Sequence, residues 1–235
     1  MARRWHTLWV LACLLLPAAA QAERTPFQIR CEDSIAKTIT VLSAQQNGYK
    51  IDTHLSYRAL TVMKGVAPAN TYVAGLTRTE ARIAIDLGGP LLQDSVSGYE
   101  CVAPKINVKL YYSPVVIYIA REIPAGSCAY QEVLTHEMRH MKTYMDSLPR
   151  VETVVRAALA QRFENKPLYA PSGTAMSALE HEVDSGWMRY IKAEMAKVEV
   201  QQEAIDSPAE YARLGKVCGG QLQTILGRTQ PVRPP

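Results

Sequence analysis

Two histidines four positions apart, the first followed directly by a glutamate, frame the segment His136-Glu137-Met138-Arg139-His140. On a helix, positions four apart lie above one another on one face, so both imidazoles can aim at a single point. Two neutral imidazoles suit a zinc ion, and a catalytic zinc site keeps one position open for water. His136 and His140 are therefore candidate metal ligands. Glu137, one residue beyond the first, is placed to reach that water and take its proton as a general base. The chain has only five histidines, so two of them in one pentapeptide are a concentrated signal. The plain alternative is an amphipathic helix whose histidines face solvent.

Such a helix needs a scaffold, and the hydrophobic pattern ahead of it has a period of two. Thr38-Ile39-Thr40-Val41-Leu42 and Tyr49-Lys50-Ile51-Asp52 flank Asn47-Gly48, a pair suited to a tight hairpin, which predicts two paired strands. Ile83, Ile85 and Leu87 alternate with Arg82, Ala84 and Asp86. A further run, Ile106 to Leu110, turns at Ser113-Pro114 into Val115 to Ile119. Residues 30–121 thus read as a twisted, mostly antiparallel sheet. After Gly126 the spacing turns helical through Val133, Leu134, Met138, Met141 and Met145. Pro149 fits the first position of a second helix over 149–164. Another helical stretch covers roughly 174–205. Ser207-Pro208-Ala209-Glu210 has capping-box spacing and opens a last helix carrying Cys218. The predicted fold is α+β, one domain over 23–228: an N-terminal antiparallel sheet, then a helical half over 128–228. Residues 229–235 read as a disordered tail.

The first 22 residues carry Arg3 and Arg4, an apolar run from Leu8 to Leu16, and small residues at Ala20 and Ala22, the pattern of a secretory signal peptide cut after Ala22. The run is too short to span a bilayer and no later segment replaces it, so no stable membrane insertion is expected. A second reading of the leader takes Cys13 as a lipid-attachment cysteine. Cleavage leaves Cys31, Cys101, Cys128 and Cys218, with no CxxC pair. In an exported chain these read as two disulfides, and their placement favours pairing within each half. The 26 lysines and arginines, less Arg3 and Arg4, stand against 22 acidic residues, so the exported chain is nearly neutral and no nucleic-acid partner is expected.

The HEMRH pentapeptide resembles the zincin metallopeptidases. The layout of leader, β-rich front half and helical half opened by the motif resembles the bacterial family of predicted secreted zinc-dependent proteases. Zincins carry uncharged residues in the middle of the motif, whereas this chain has Arg139, and Lys142 follows the second histidine. The resemblance implies a third ligand. In the metzincin pattern that position is Asp146, but Thr143 replaces the glycine that lets the chain turn back. Glu180-x-x-x-Asp184 is similar to the gluzincin arrangement, which implies Glu180 as the metal ligand and Asp184 as the carboxylate orienting a histidine. The apolar stripe through Met176, Leu179, Val183 and Ile191 puts both on one flank, near Trp187. His181 and Glu182 are further candidates. Tyr144, His181, Tyr169 and Tyr190 are candidate donors to a transition-state oxygen.

These readings converge on a secreted or periplasmic zinc-dependent hydrolase acting on a peptide or protein, with Glu137 as base and Zn²⁺ held by His136, His140 and Glu180. Two alternatives stand beside it: an amidase or endopeptidase acting on cell-wall peptides, and a non-catalytic binding module retaining a metal site. The sequence leaves the oligomeric state open.

Overall fold

The computed structural model describes residues 24–34, 40–45, 48–65 and 72–228. The leader, Thr38 and Ile39 of the first predicted strand, Asn47 of the predicted turn and the tail over 229–235 lie outside them. Along the described chain run α1 (Pro26–Ser34), β1 (Thr40–Gln45), β2 (Tyr49–Asp52), α2 (Tyr57–Lys64), β3 (Gly75–Arg78), β4 (Ala81–Gly88), β5 (Leu91–Asp94), β6 (Tyr99–Val102), β7 (Lys105–Tyr112) and β8 (Val115–Ile119). Then come α3 (Cys128–Phe163), β9 (Leu168–Pro171), α4 (Ala175–Glu182), a π-helical turn at Val183–Trp187, α5 (Met188–Ala196), α6 (Glu199–Ile205) and α7 (Pro208–Arg228). The fold is α+β, with the strands concentrated in the front half and the helices behind.

Alternation sets the central strands. Ile106, Val108, Leu110 and Tyr112 of β7 are buried while Lys105, Asn107 and Lys109 are exposed, and Val115, Ile117 and Ile119 of β8 are buried in turn. β7 and β8 are successive segments of one lane, joined across Ser113-Pro114. β1 runs parallel to β7, with Leu42 opposite Val108, and β2 runs parallel to β8, with Ile51 opposite Ile117. The predicted hairpin between them does not form. The buried apolar lane offers each of the two a long-range partner, and that outweighs the local turn preference of Asn-Gly. β4 and β3 flank the other side of the lane, antiparallel to β7 and β8. The sheet that the spacing predicts as mostly antiparallel therefore has one parallel side. A separate antiparallel sheet, in the order β5-β6-β9, takes one strand from the helical half.

Helix α3 spans the whole assembly. It begins at an N-cap, where the Ser127 side chain accepts from the Tyr130 N–H, and it continues through Pro149, where a second helix was expected. Proline removes the N–H owed to the Met145 carbonyl and costs a helix interior about 3 kcal/mol. Met145, Leu148, Val151, Val155, Leu159 and Phe163 are all buried in one cluster with β7 and α5, at about 1.5–3 kcal/mol each, so packing wins. The first half of α3 packs differently: Ala129 and Val133 meet Ile117, Ile119, Tyr57, Leu60, Leu214 and Leu222. The HEMRH segment lies between these two packed regions.

Two disulfides, Cys31–Cys101 and Cys128–Cys218, pair within each half, as the cysteine placement favours. The first is buried and ties α1 to β6. The second joins the first residue of α3 to α7 at an interruption over Val217–Gly220, where Cys218 takes φ +56°. It closes a loop of 90 residues, worth roughly 4.6 kcal/mol in chain entropy. The double variant Cys128→Ser/Cys218→Ser is expected to lose about that much stability in urea-unfolding measurements. A loss below roughly 1 kcal/mol would show that this link does not restrain the unfolded chain. Among the described residues, no helix is long and apolar enough to cross a membrane.

Candidate metal centre

Both histidines of the motif point inward from α3. His136 is 4% exposed and His140 9%, which removes the solvent-facing alternative. Their Nε2 atoms lie 3.3 Å apart, and Oδ1 of Asp206 lies 3.2 Å from each. Asp206 is the C-cap of α6. Two imidazole nitrogens and a carboxylate oxygen thus form a nearly equilateral triangle. Zinc bonds to N and O of about 2.0–2.1 Å place tetrahedral donors about 3.3 Å apart, so the spacing fits that ion's coordination. With both Nε2 atoms unprotonated, three lone pairs converge on one point, an arrangement that could hold a metal ion.

The outer nitrogens are held by a second set of side chains. Gln202 Oε1 lies 2.6 Å from Nδ1 of His140, and its amide nitrogen donates to the His140 carbonyl at 3.1 Å. A carbonyl oxygen at Nδ1 fixes the proton there and leaves Nε2 with its lone pair. Glu210 Oε1 lies 3.2 Å from Nδ1 of His136 and does the same work. Arg139 Nη2 is also close to that nitrogen, but it bonds Glu210 directly, and a protonated Nδ1 donates to the carboxylate rather than accepting from the guanidinium. Arg213 is the main cause holding the Glu210 carboxyl down, to about 2, with His136 and Arg139 adding against the opposing effect of burial. Burial disfavours a charged His140, yet Asp206 and Gln202 outweigh it and raise its pKa. Burial likewise pushes Asp206 up, while His136, His140 and Lys64 more than reverse that and hold it well below the usual carboxylate range.

Glu137 is 4% exposed, and its carboxylate is turned towards β3. Thr77 Oγ1 lies 2.9 Å from both Oε2 and the Glu137 carbonyl, and its one proton serves one or the other. A Cβ at Gly75 would stand 2.7 Å from Oε1 and 2.6 Å from Val133 Cγ1, so only glycine lets this strand close on the helix here. Burial pushes the Glu137 carboxyl up, against lowering by His140, His136 and Thr77.

The structure does not bring Glu180 or Asp184 to the histidines. Both are exposed on the flank of α4 and the π-turn, and the carboxylate that stands beside both histidines is Asp206, with Gln202 and Glu210 at their outer nitrogens. His181 is exposed, Glu182 is held by Arg162 Nε and Nη2 at 2.8 and 2.7 Å, and Asp146 pairs with Lys142 on the surface. Among the candidate oxygen donors, Tyr144 bonds Glu199, Tyr169 packs on Phe27 and Tyr190 on Trp187. The side chains next to the centre are Lys64, the last residue of α2, and Tyr211. Lys64 Nζ donates to Asp206 Oδ2 at 2.9 Å and to the Tyr211 hydroxyl at 3.2 Å. One signal could have found the missed residues. Gln202, Asp206 and Glu210 recur every four positions, matching the His136–His140 interval. Comparisons with protein-family models, with curated proteins and with solved structures found no match.

Proposed function

We propose that this protein is an exported zinc-dependent hydrolase acting on peptide bonds, with His136, His140 and Asp206 as metal ligands and Glu137 as general base. The triangle of Nε2, Nε2 and Oδ1 at 3.2–3.3 Å carries the proposal. A zinc ion held by these three residues would supply a Lewis acid able to lower the pKa of a water towards about 7. The chain's residues supply the rest. Glu137 accepts the proton at Oε1, the oxygen that Thr77 does not engage, and its burial-raised pKa moves it towards the range where a base is effective near neutral pH. Gln202 and Glu210 keep the histidine protons on Nδ1. β3 is an edge strand of the sheet ordered β2-β8-β3, and its Thr77 touches Glu137, so an extended peptide adding to that edge would run past the carboxylate. Two disulfides suit an oxidising compartment, which supports export by the leader.

One observation favours a second reading, a metal-binding module without turnover: Glu137 is buried, with β3 closed over its carboxylate. Incubating the purified protein with equimolar zinc and either an unfolded protein or cell-wall peptides separates the two. The hydrolase reading expects cleavage of at least one, lost on chelation and restored by zinc. Stoichiometric zinc with both substrates intact overturns it and leaves the binding module.

A further inference from the structure

His136, Glu137 and His140 are buried, whereas on the side of Asp206 the centre opens. The side chains of Asp206 and Lys64 are 25% and 38% exposed, and Tyr211 is 46% exposed. A molecule approaching from this side meets the Lys64 ammonium and the Tyr211 hydroxyl beside the carboxylate that completes the donor set. The Lys64 nitrogen also lies 5.9 Å from the Tyr211 ring centroid, and that ring stands 6.3 Å from the ring of His136, so the phenol spans from the lysine to the histidine. Lys64 comes from the front half of the chain, 142 residues before Asp206, and its position is fixed by these two contacts.

We propose that Lys64 and Tyr211 form an anion subsite at the open side of the metal group, and that the substrate group it takes is a carboxylate. The inference rests on the metal reading above and adds a substrate class to it: peptides bearing a carboxylate next to the reacting bond. Charge decides the matter. A divalent ion with Asp206 and Glu137 ionised sums to zero, and Lys64 brings the site to +1. Asp206 is the Lys64 counter-ion, and once its charge is shared with the ion the ammonium is left with surplus charge. The Lys64 ammonium keeps one N–H beyond those given to Asp206 and Tyr211, and the Tyr211 hydroxyl, which also hydrogen-bonds Asp206, is released once that carboxylate turns to the ion, so the pair can meet the two oxygens of a carboxylate. Near His136, Arg139 and Arg213 are matched by Glu210 and Glu132.

The test loads the full exported chain with cobalt(II), whose visible absorption reports ligands entering the centre, and titrates it with acetate and with acetamide, its uncharged counterpart. Acetate is expected to change the spectrum at concentrations at least tenfold below acetamide. Lys64→Met should weaken acetate at least tenfold with cobalt still bound at one equivalent, Lys64→Arg should retain it, and Tyr211→Phe should weaken it by a smaller factor. Unchanged acetate binding in Lys64→Met overturns the subsite while leaving the metal reading intact. Failure of the unaltered protein to take up cobalt overturns both.

Discussion

Replacing Asp206 by alanine will weaken zinc binding by more than 100-fold, while replacing Glu180 by alanine will leave it unchanged. Asp206 Oδ1 is one of three donors within 3.2–3.3 Å of one another, and its removal leaves two neutral imidazoles with no anionic ligand. Changing an outer-shell partner alone typically lowers metal affinity about 10- to 100-fold, so losing a direct ligand should exceed that range. Glu180 stands exposed on α4 and touches nothing in the centre. Equilibrium dialysis against buffered zinc reads both variants. Folding is checked by far-ultraviolet circular dichroism, because Asp206 also anchors Lys64 and its loss could loosen α2. A folded Asp206→Ala protein that binds zinc as tightly as the unaltered chain would remove this residue from the ligand set.

Glu137→Gln separates binding from turnover. The amide keeps the shape and can still accept from Thr77, but it cannot take a proton, so hydrolysis should fall by about 10²- to 10⁴-fold with zinc content unchanged. The amide also avoids burying a charge, so the variant should be at least as stable as the parent. This follows from the sign of the shift: a carboxyl whose pKa is raised by burial is a net cost to the folded state when ionised. Retained hydrolysis in a zinc-loaded Glu137→Gln protein would exclude this carboxylate as the base. Loss of zinc together with activity would instead mean that Glu137 helps to build the centre.

The pentapeptide was legible because a four-residue interval on a helix fixes which side chains share a face, whatever surrounds the helix. The strands β4, β7 and β8 were legible for the same local reason, their two-residue alternation. What the sequence concealed depended on pairing across distance. Asn47-Gly48 signalled a hairpin, but β1 and β2 each gain more from the buried lane of β7 and β8. Pro149 signalled a helix start, but six buried apolar side chains carry α3 through it. The carboxylate proposed as third ligand was hidden most thoroughly. Glu180 and Asp184 lie on a flank that looked half-buried by periodicity, and it faces solvent. Asp206 closes a short helix, where an aspartate has an ordinary local use, and Glu210 matched a capping box. That box is only half made: the Glu210 N–H bonds Ser207, while its carboxylate goes to His136 and the two arginines.

The Cys128–Cys218 link encloses the proposed ligand set in the chain: one cysteine precedes His136 and the other follows Asp206. Without it, bringing the two donors together closes a loop of 70 residues. With it, the shortest connecting path runs through the sulfurs and is roughly twenty residues long, which lowers the entropy of closure by about 1 kcal/mol. On the proposed metal reading, oxidation and ion capture would therefore reinforce each other, with the covalent bond favoured first and the ion second. A chain retained in a reducing compartment would be a poorer competitor for zinc than the same chain after export.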